Sequence, residues 1–146
     1  MKPGKIRPIA IGIFRHNDAI LVAEGYDSIK GQTFYRPLGG TIEFGERSDQ
    51  TVMREIREEL GAKITSLRYL GTIENIFTYN GETGHEIVLI YEGEFADQAL
   101  YNMAVVSAQE DDGSPFKAVW KSLRDFQHGE APLYPSGLME LLIEKG

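Results

Sequence analysis

The sequence contains no cysteine, which rules out disulfides, zinc–thiolate sites and a cysteine nucleophile, and leaves a chain suited to a reducing compartment. It also has no excess of positive charge. Fifteen lysines and arginines stand against twenty-two aspartates and glutamates, a net charge of −7. No basic groove is evident, so a nucleic-acid partner is not expected, and a phosphate-bearing ligand should arrive with its own counter-cation. No apolar run approaches a membrane span. Ile9 to Phe14 follows Lys2, Lys5 and Arg7 but is shorter than a signal-peptide core, and no small-residue cleavage site comes after it. A cytoplasmic location is the expectation. Internal repeats, low-complexity tracts and linkers are missing as well. What is left is 146 residues of ordinary apolar content, read as one domain over 1–146, with a core at about 5–130 and a C-terminal helix at about 136–145.

One stretch concentrates the chemistry. Ser48 is a good N-cap, Asp49 suits a helix first turn, and Gly61 sits where a left-handed C-cap belongs, which predicts a helix from Asp49 to Leu60. Val52, Met53, Ile56 and Leu60 then form an apolar stripe, and Glu55, Glu58 and Glu59 gather on the adjoining face. Three like charges at these spacings repel, each pair by roughly 0.2–0.5 kcal/mol in an isolated helix, and Arg54 alone compensates. Two readings follow: a solvated acidic face, or a site for a hard divalent cation that turns the repulsion into coordination. Just upstream, Pro37-Leu38-Gly39-Gly40 reads as a turn whose glycines let backbone approach a bound group closely.

The rest of the chain reads as strands. Arg7 to Phe14 and Ala19 to Glu24 flank a turn at His16-Asn17-Asp18; Gly25 to Thr33 reads as a polar loop, and Phe34-Tyr35-Arg36 as a short extended piece. Lys63 to Tyr79, with a bulge at Gly71, pairs with His85 to Phe95 through an Asn80–Gly84 loop, in a register bringing Phe77 and Tyr79 near His85 and Ile87. Asp97 to Ser114 reads as a mobile loop, Phe116 to Leu123 as a strand, and Ser136 to Lys145 as a helix with Leu138, Leu141 and Leu142 inward. The fold class is α+β, with helices on both sides of a mixed sheet. Phe34, Tyr35, Phe77 and Tyr79 lie near loop ends, where a base could stack or where each could simply pack the core. Arg36 could meet a phosphate or cap the surface. His16 and His85 are read as structural, and Trp120 as core.

Gly40, Glu46, Arg54, Glu55, Ile56, Glu58, Glu59, Gly61 and Ala62 fill the pattern G-x5-E-x7-R-E-U-x-E-E-x-G-U, where U is aliphatic and Ala62 is a small choice for the last place. The stretch from Gly40 to Ala62 resembles a complete Nudix box. That resemblance favours the metal reading and implies an α/β/α sandwich with a mixed sheet. It also implies a Mg²⁺-dependent pyrophosphohydrolase, Mn²⁺ able to substitute, that cleaves a nucleoside diphosphate linked to another moiety. By resemblance, Gly39 offers its carbonyl to metal, and Glu55 and Glu59 are the first-choice ligands with Glu58 a third ligand or partner. Arg54 orients a carboxylate, and Gly40 and Glu46 brace the loop. The general base is an acid of the box or one outside it: Glu86, Glu110, Asp111 or Asp112. Among relatives, a proline at the position of Phe77 accompanies ADP-ribose, and a tyrosine at that of Tyr79 accompanies dinucleoside polyphosphates. The chain has the tyrosine and not the proline. Relatives also commonly form homodimers. Three alternatives stand beside this reading: a silent nucleotide-binding module, a Ca²⁺-stabilised structural domain, and a hydrolase of modified nucleoside triphosphates.

Overall fold

The computed structural model describes residues 4–129 and 131–145, so that Lys2 lies outside the described residues. Eight strands form one sheet in the order β5-β6-β1-β2-β8-β7, with β4 paired to β1 and β3 to β2. The strands are β1 (Ile6–His16), β2 (Ala19–Asp27), β3 (Gln32–Arg36), β4 (Leu38–Thr41), β5 (Ile64–Tyr79), β6 (Glu82–Phe95), β7 (Val105–Gln109) and β8 (Pro115–Ser122). The sheet is mixed because β1 runs parallel to β6 while the other pairings are antiparallel.

Helices cover both faces, as the sequence leads one to expect. Ala10, Phe14, Leu21 and Leu38 pack with Val52 and Ile56 of α1 (Ser48–Leu60). Ile11, Ile13, Val22, Val88 and Ile90 pack on the opposite side with Leu138 and Leu142 of α3 (Leu138–Lys145), near a short α2 (Leu123–His128). β1 can serve both cores because its central residues are apolar on both faces.

One irregularity makes the cleft. β1 and β2 pair only at Arg15↔Ile20 and His16↔Ala19 and then diverge. β4 takes the vacated edge of β1 from Ile9 to Gly12, and β3 pairs with β2 from Ala23 to Asp27. Only Pro37 separates β3 from β4, so this strand pair straddles the gap.

Several expectations need correcting. Gly39 and Gly40 lie in strand β4 rather than a turn; Gly39, at φ 155°, packs so tightly over Ala10 and Ile11 that a Cβ would strike their backbone. The polar loop at 25–33 is largely hairpin, since β2 runs to Asp27 and β3 starts at Gln32. Asn80 and Gly81, both at positive φ, make the β5–β6 turn alone, which sets Phe77 against Gly84 and Tyr79 against Glu82 rather than His85 and Ile87. The stretch 97–114 is ordered as a 3₁₀ turn (Gln98–Asn102) and β7, whose weak alternation buries only Val106 and Ala108. Ser48 is the first helical residue; its hydroxyl bonds Tyr91, and Gln50 Oε1 accepts from the Arg47 N–H at the cap. Met53 turns outward, and Thr51 takes the buried place instead. The β5 register does slip between Tyr69 and Gly71, where the bulge was expected.

Candidate metal and nucleotide site

α1 is short and amphipathic, but two of its buried residues are acids: Glu55 is 5% exposed and Glu59 9%. Arg54 is the hub that offsets this for Glu55. Its Nε and Nη2 donate to Glu46 at 2.7 and 3.0 Å, Nη1 to Glu55 at 2.9 Å and Glu58 at 3.3 Å, and Nη2 to the Thr41 carbonyl at 3.1 Å. Glu46 also accepts from the Thr51 hydroxyl and the Glu43 N–H, and these bonds, Arg54 foremost, hold its carboxyl down at about 2. The Arg54–Glu46 pair therefore ties the loop 42–47 to the helix.

The acids facing the cleft are less compensated. Burial raises the Glu55 pKa despite Arg54, and burial, with the charges of Glu55 and Glu110 adding, pushes Glu59 up to about 8. Glu59 Oε1 is fully buried and has no hydrogen-bond partner among the described residues. Gly40 lies against Glu55, where any Cβ would overlap the carboxylate.

Carboxylate oxygens of Glu55, Glu58 and Asp111 all lie within 4.8 Å of one another. Asp111 comes from the β7–β8 turn and joins this cluster where the sequence pattern suggested Glu59. Glu59 faces the main cleft instead, with Glu55, Glu110 and Asp111 also on its wall. The residues fit a divalent cation: an all-oxygen donor set, one buried carboxylate oxygen with no partner among the described residues, and a glycine at position 40 that makes room for the Glu55 carboxylate itself.

The cleft has a volume of about 520 Å³ and leads from these acids to an aromatic end. Period-two alternation along β3 decides its lining. Phe34 and Arg36 point in, the Phe34 ring lying flat on Gly25, where a side chain would displace it. Tyr35 points the other way, against Phe126 and under Lys121, with its hydroxyl on Glu24, so it belongs to the packing on the far face and not to the pocket. Tyr79 and Tyr134 meet the Phe34 ring at 5.7 and 5.6 Å, and Phe77 also lines the wall. Of the acids outside the box, Glu110 and Asp111 line the site. Glu86 faces the cleft but pairs with Arg7, and Asp112 folds back on Ser114 away from both.

A NUDIX domain model matches residues 6–140. The chain belongs to the Nudix family. The chain is 30% identical over 91 residues to an NAD-capped RNA hydrolase NudC of Pseudomonas aeruginosa, a match that takes in 62% of this chain but only 30% of that protein. A NudC of Enterobacter is 39% identical over 66 residues, 25% of its length. In overall fold the chain resembles a MutT NUDIX hydrolase from Burkholderia pseudomallei, with TM-score 0.66 at 20% identity over 94% of this chain and 97% of that one. A NUDIX hydrolase from Nitrosomonas europaea gives TM-score 0.65 at 18% identity, covering 97% and 88%. Among the described residues no helix is long and apolar enough to cross a membrane. The Nudix box thus runs from the end of β4 through the Arg54–Glu46 loop and the whole of α1. Arg7, Lys30, Asn75, Phe116, Tyr134 and Pro135 also line the cleft and were not foreseen. Their places depend on strand register and on Tyr35 pairing with the 132–134 segment, for which no local signal exists.

Proposed function

We propose that the protein hydrolyses a phosphoanhydride bond in a nucleoside diphosphate linked to a further group, in the class of dinucleoside polyphosphates, nucleotide sugars and nucleoside triphosphates. One observation carries this reading: the buried, under-compensated acids of the Nudix box open on a cleft whose other end is an aromatic platform. Glu55, Glu58, Glu59 and the Gly39 carbonyl would hold Mg²⁺, or Mn²⁺ in its place, and Asp111 is added as a ligand. When bound, the ion supplies charge that offsets phosphate oxygens and acidifies water.

The chain's own residues do the rest. Arg54 fixes the Glu55 and Glu58 carboxylates in orientation, and Glu46 fixes Arg54. Arg36, on the cleft wall within electrostatic reach of Glu59, offers its guanidinium to the phosphates. An acid of the cluster takes the proton of the attacking water. Phe34, with Tyr79 beside it, gives a base a surface to stack on. The NudC relatives are named for NAD-capped RNA, which contains a diphosphate between two nucleosides. With a net charge of −7, the proposed substrate here is a free nucleotide rather than RNA.

The test is product release from a nucleotide panel with Mg²⁺, comparing wild type with Glu59→Gln. Turnover in the wild type that collapses in the variant is expected. Equal background rates on every nucleotide that binds would make the protein a sensing module instead.

A further inference from the structure

Strand register lines up a polar row across the cleft floor. Asn75 of β5 stands opposite Glu86 of β6, and Glu86 beside Arg7 of β1. Arg7 reaches on to β4, donating from Nε to Thr41 Oγ1 at 2.8 Å. Directly paired residues share a face, and Asn75, Glu86 and Arg7 all line the cleft. The row on one side is apolar, Ile73, Val88 and Ile9; on the other, Phe77 faces Gly84.

Two members of this row keep hydrogen-bonding capacity on the cleft side, Glu86 despite its ion pair with Arg7. Asn75 is only 7% exposed, yet its carboxamide makes no hydrogen bond to the described residues. The Glu86 side chain is 12% exposed, and its contact with Arg7, 3.6 Å to Oε2, is too long for a hydrogen bond. Neither side chain is among the fully buried groups without a partner, so the free capacity of both faces the cleft. A carboxamide and a carboxylate left open side by side on the wall of a ligand cleft await partners that come with the ligand.

Their chemistry limits what those partners are. A carboxylate only accepts and repels phosphate; a carboxamide donates and accepts. Arg7 lies three residues before Ala10, which faces Gly40, an offset of about 10 Å along β1 at ~3.3 Å per residue, and Glu86 and Asn75 lie one and two strands further from β4 at ~4.8 Å each. That leaves room for a diphosphate between the pair and the acid cluster.

We propose that Asn75 and Glu86, backed by Arg7, form the subsite that reads neighbouring hydrogen-bond donors on the uncharged part of the nucleoside. Such donors are a ribose 2′,3′-diol or an amino–imino base edge. The inference rests on the nucleotide-hydrolase reading, but its readout is binding and not turnover.

The experiment measures affinities of the α,β-methylene analogues of ADP, 2′-deoxy-ADP, GDP and IDP, with methylenediphosphonate as the nucleoside-free control. Wild type should favour ADP over its deoxy form, or GDP over IDP, by roughly tenfold or more, the size of a hydrogen bond to a charged group. The first preference identifies the sugar as the group read, the second the base. Asn75→Ala and Glu86→Ala should bring that ratio close to one and leave methylenediphosphonate binding unchanged. Glu86→Gln, the same shape without the charge, gives the same answer if the alanine variant does not fold. Unchanged ratios, or equal weakening of every ligand including methylenediphosphonate, would overturn the assignment. Glu86-dependent discrimination without any hydrolysis would sink the hydrolase reading and spare the subsite. Hydrolysis without such discrimination would do the reverse, and no binding of any analogue sinks both.

Discussion

The two ends of the cleft are held in place by different physics. At the acid end a single guanidinium, Arg54, arranges Glu46, Glu55 and Glu58, and the carboxylates stay close together despite their repulsion. At the aromatic end, two hairpin tips are latched through neutral backbone groups. Asp27 accepts from the Ile29, Lys30 and Asn80 N–H groups, Asn80 Oδ1 accepts from Ser28, and Lys30 Nζ donates to the Thr78 carbonyl. The first end stores unfavourable charge that only a cation or a proton relieves. The latch at the second end is satisfied as it stands and holds the platform in shape. Changes at the acid end should therefore act on turnover and on metal, and changes at the aromatic end on substrate binding.

The largest expected effect is at Glu59. Glu59→Gln should lower kcat by about a hundredfold or more, typical for loss of one preorganised electrostatic group. In chelator it should raise the melting temperature, because a buried carboxyl without a partner is replaced by a neutral amide. Activity and stability moving in opposite directions would sharpen the contrast; a parallel loss would break it.

Gly40→Ala comes next. Its methyl group would overlap the Glu55 carboxylate, and misplacement on the ångström scale should cost kcat between about tenfold and a hundredfold while circular dichroism shows the fold retained. At the other end, Phe34→Ala should raise KM by about tenfold, the worth of one stacked base, with kcat little changed. Asp27→Ala, which undoes the latch, should raise KM less than Phe34→Ala and lower the melting temperature. A drop in kcat for either variant, with KM constant, would erase the distinction between the ends.

The same contrast explains what could be read from sequence. The acid end is legible because i,i+3 and i,i+4 spacing within one helix brings Glu55, Glu58 and Glu59 together, and Arg54 and Glu46 lie within the same short segment. Even there, Asp111 joins from a turn far along the chain, after a strand whose alternation is too weak to announce itself. The aromatic end was only half visible. Phe34, Tyr35 and Tyr79 are all aromatics near loop ends, yet Tyr35 faces away, since alternation along β3 separates neighbours that composition treats alike. Asn75 and Arg7 show no local signal at all. They become neighbours of Glu86 through β5–β6 and β1–β6 pairing, and the parallel β1–β6 contact in particular joins segments about eighty residues apart that no turn connects.

The proposed cation site of the box acids has its sharpest readout at Glu59. Glu59 has a folded pKa of about 8 against an ordinary 4.5, so the folded state resists its ionisation. Between those values the unfolded chain releases this proton first, and the metal-free fold loses the corresponding stability as pH rises through about 8; below 4.5 neither state is affected. Melting temperature is therefore to be measured in chelator and in Mg²⁺ at pH 5 and pH 8.5, for wild type and for Glu59→Gln. Mg²⁺ should stabilise the wild type strongly at pH 8.5, weakly at pH 5, and the variant little at either. A wild type whose melting temperature is the same in chelator and in Mg²⁺ at pH 8.5, or a variant stabilised as much as wild type, would contradict the proposed cation site.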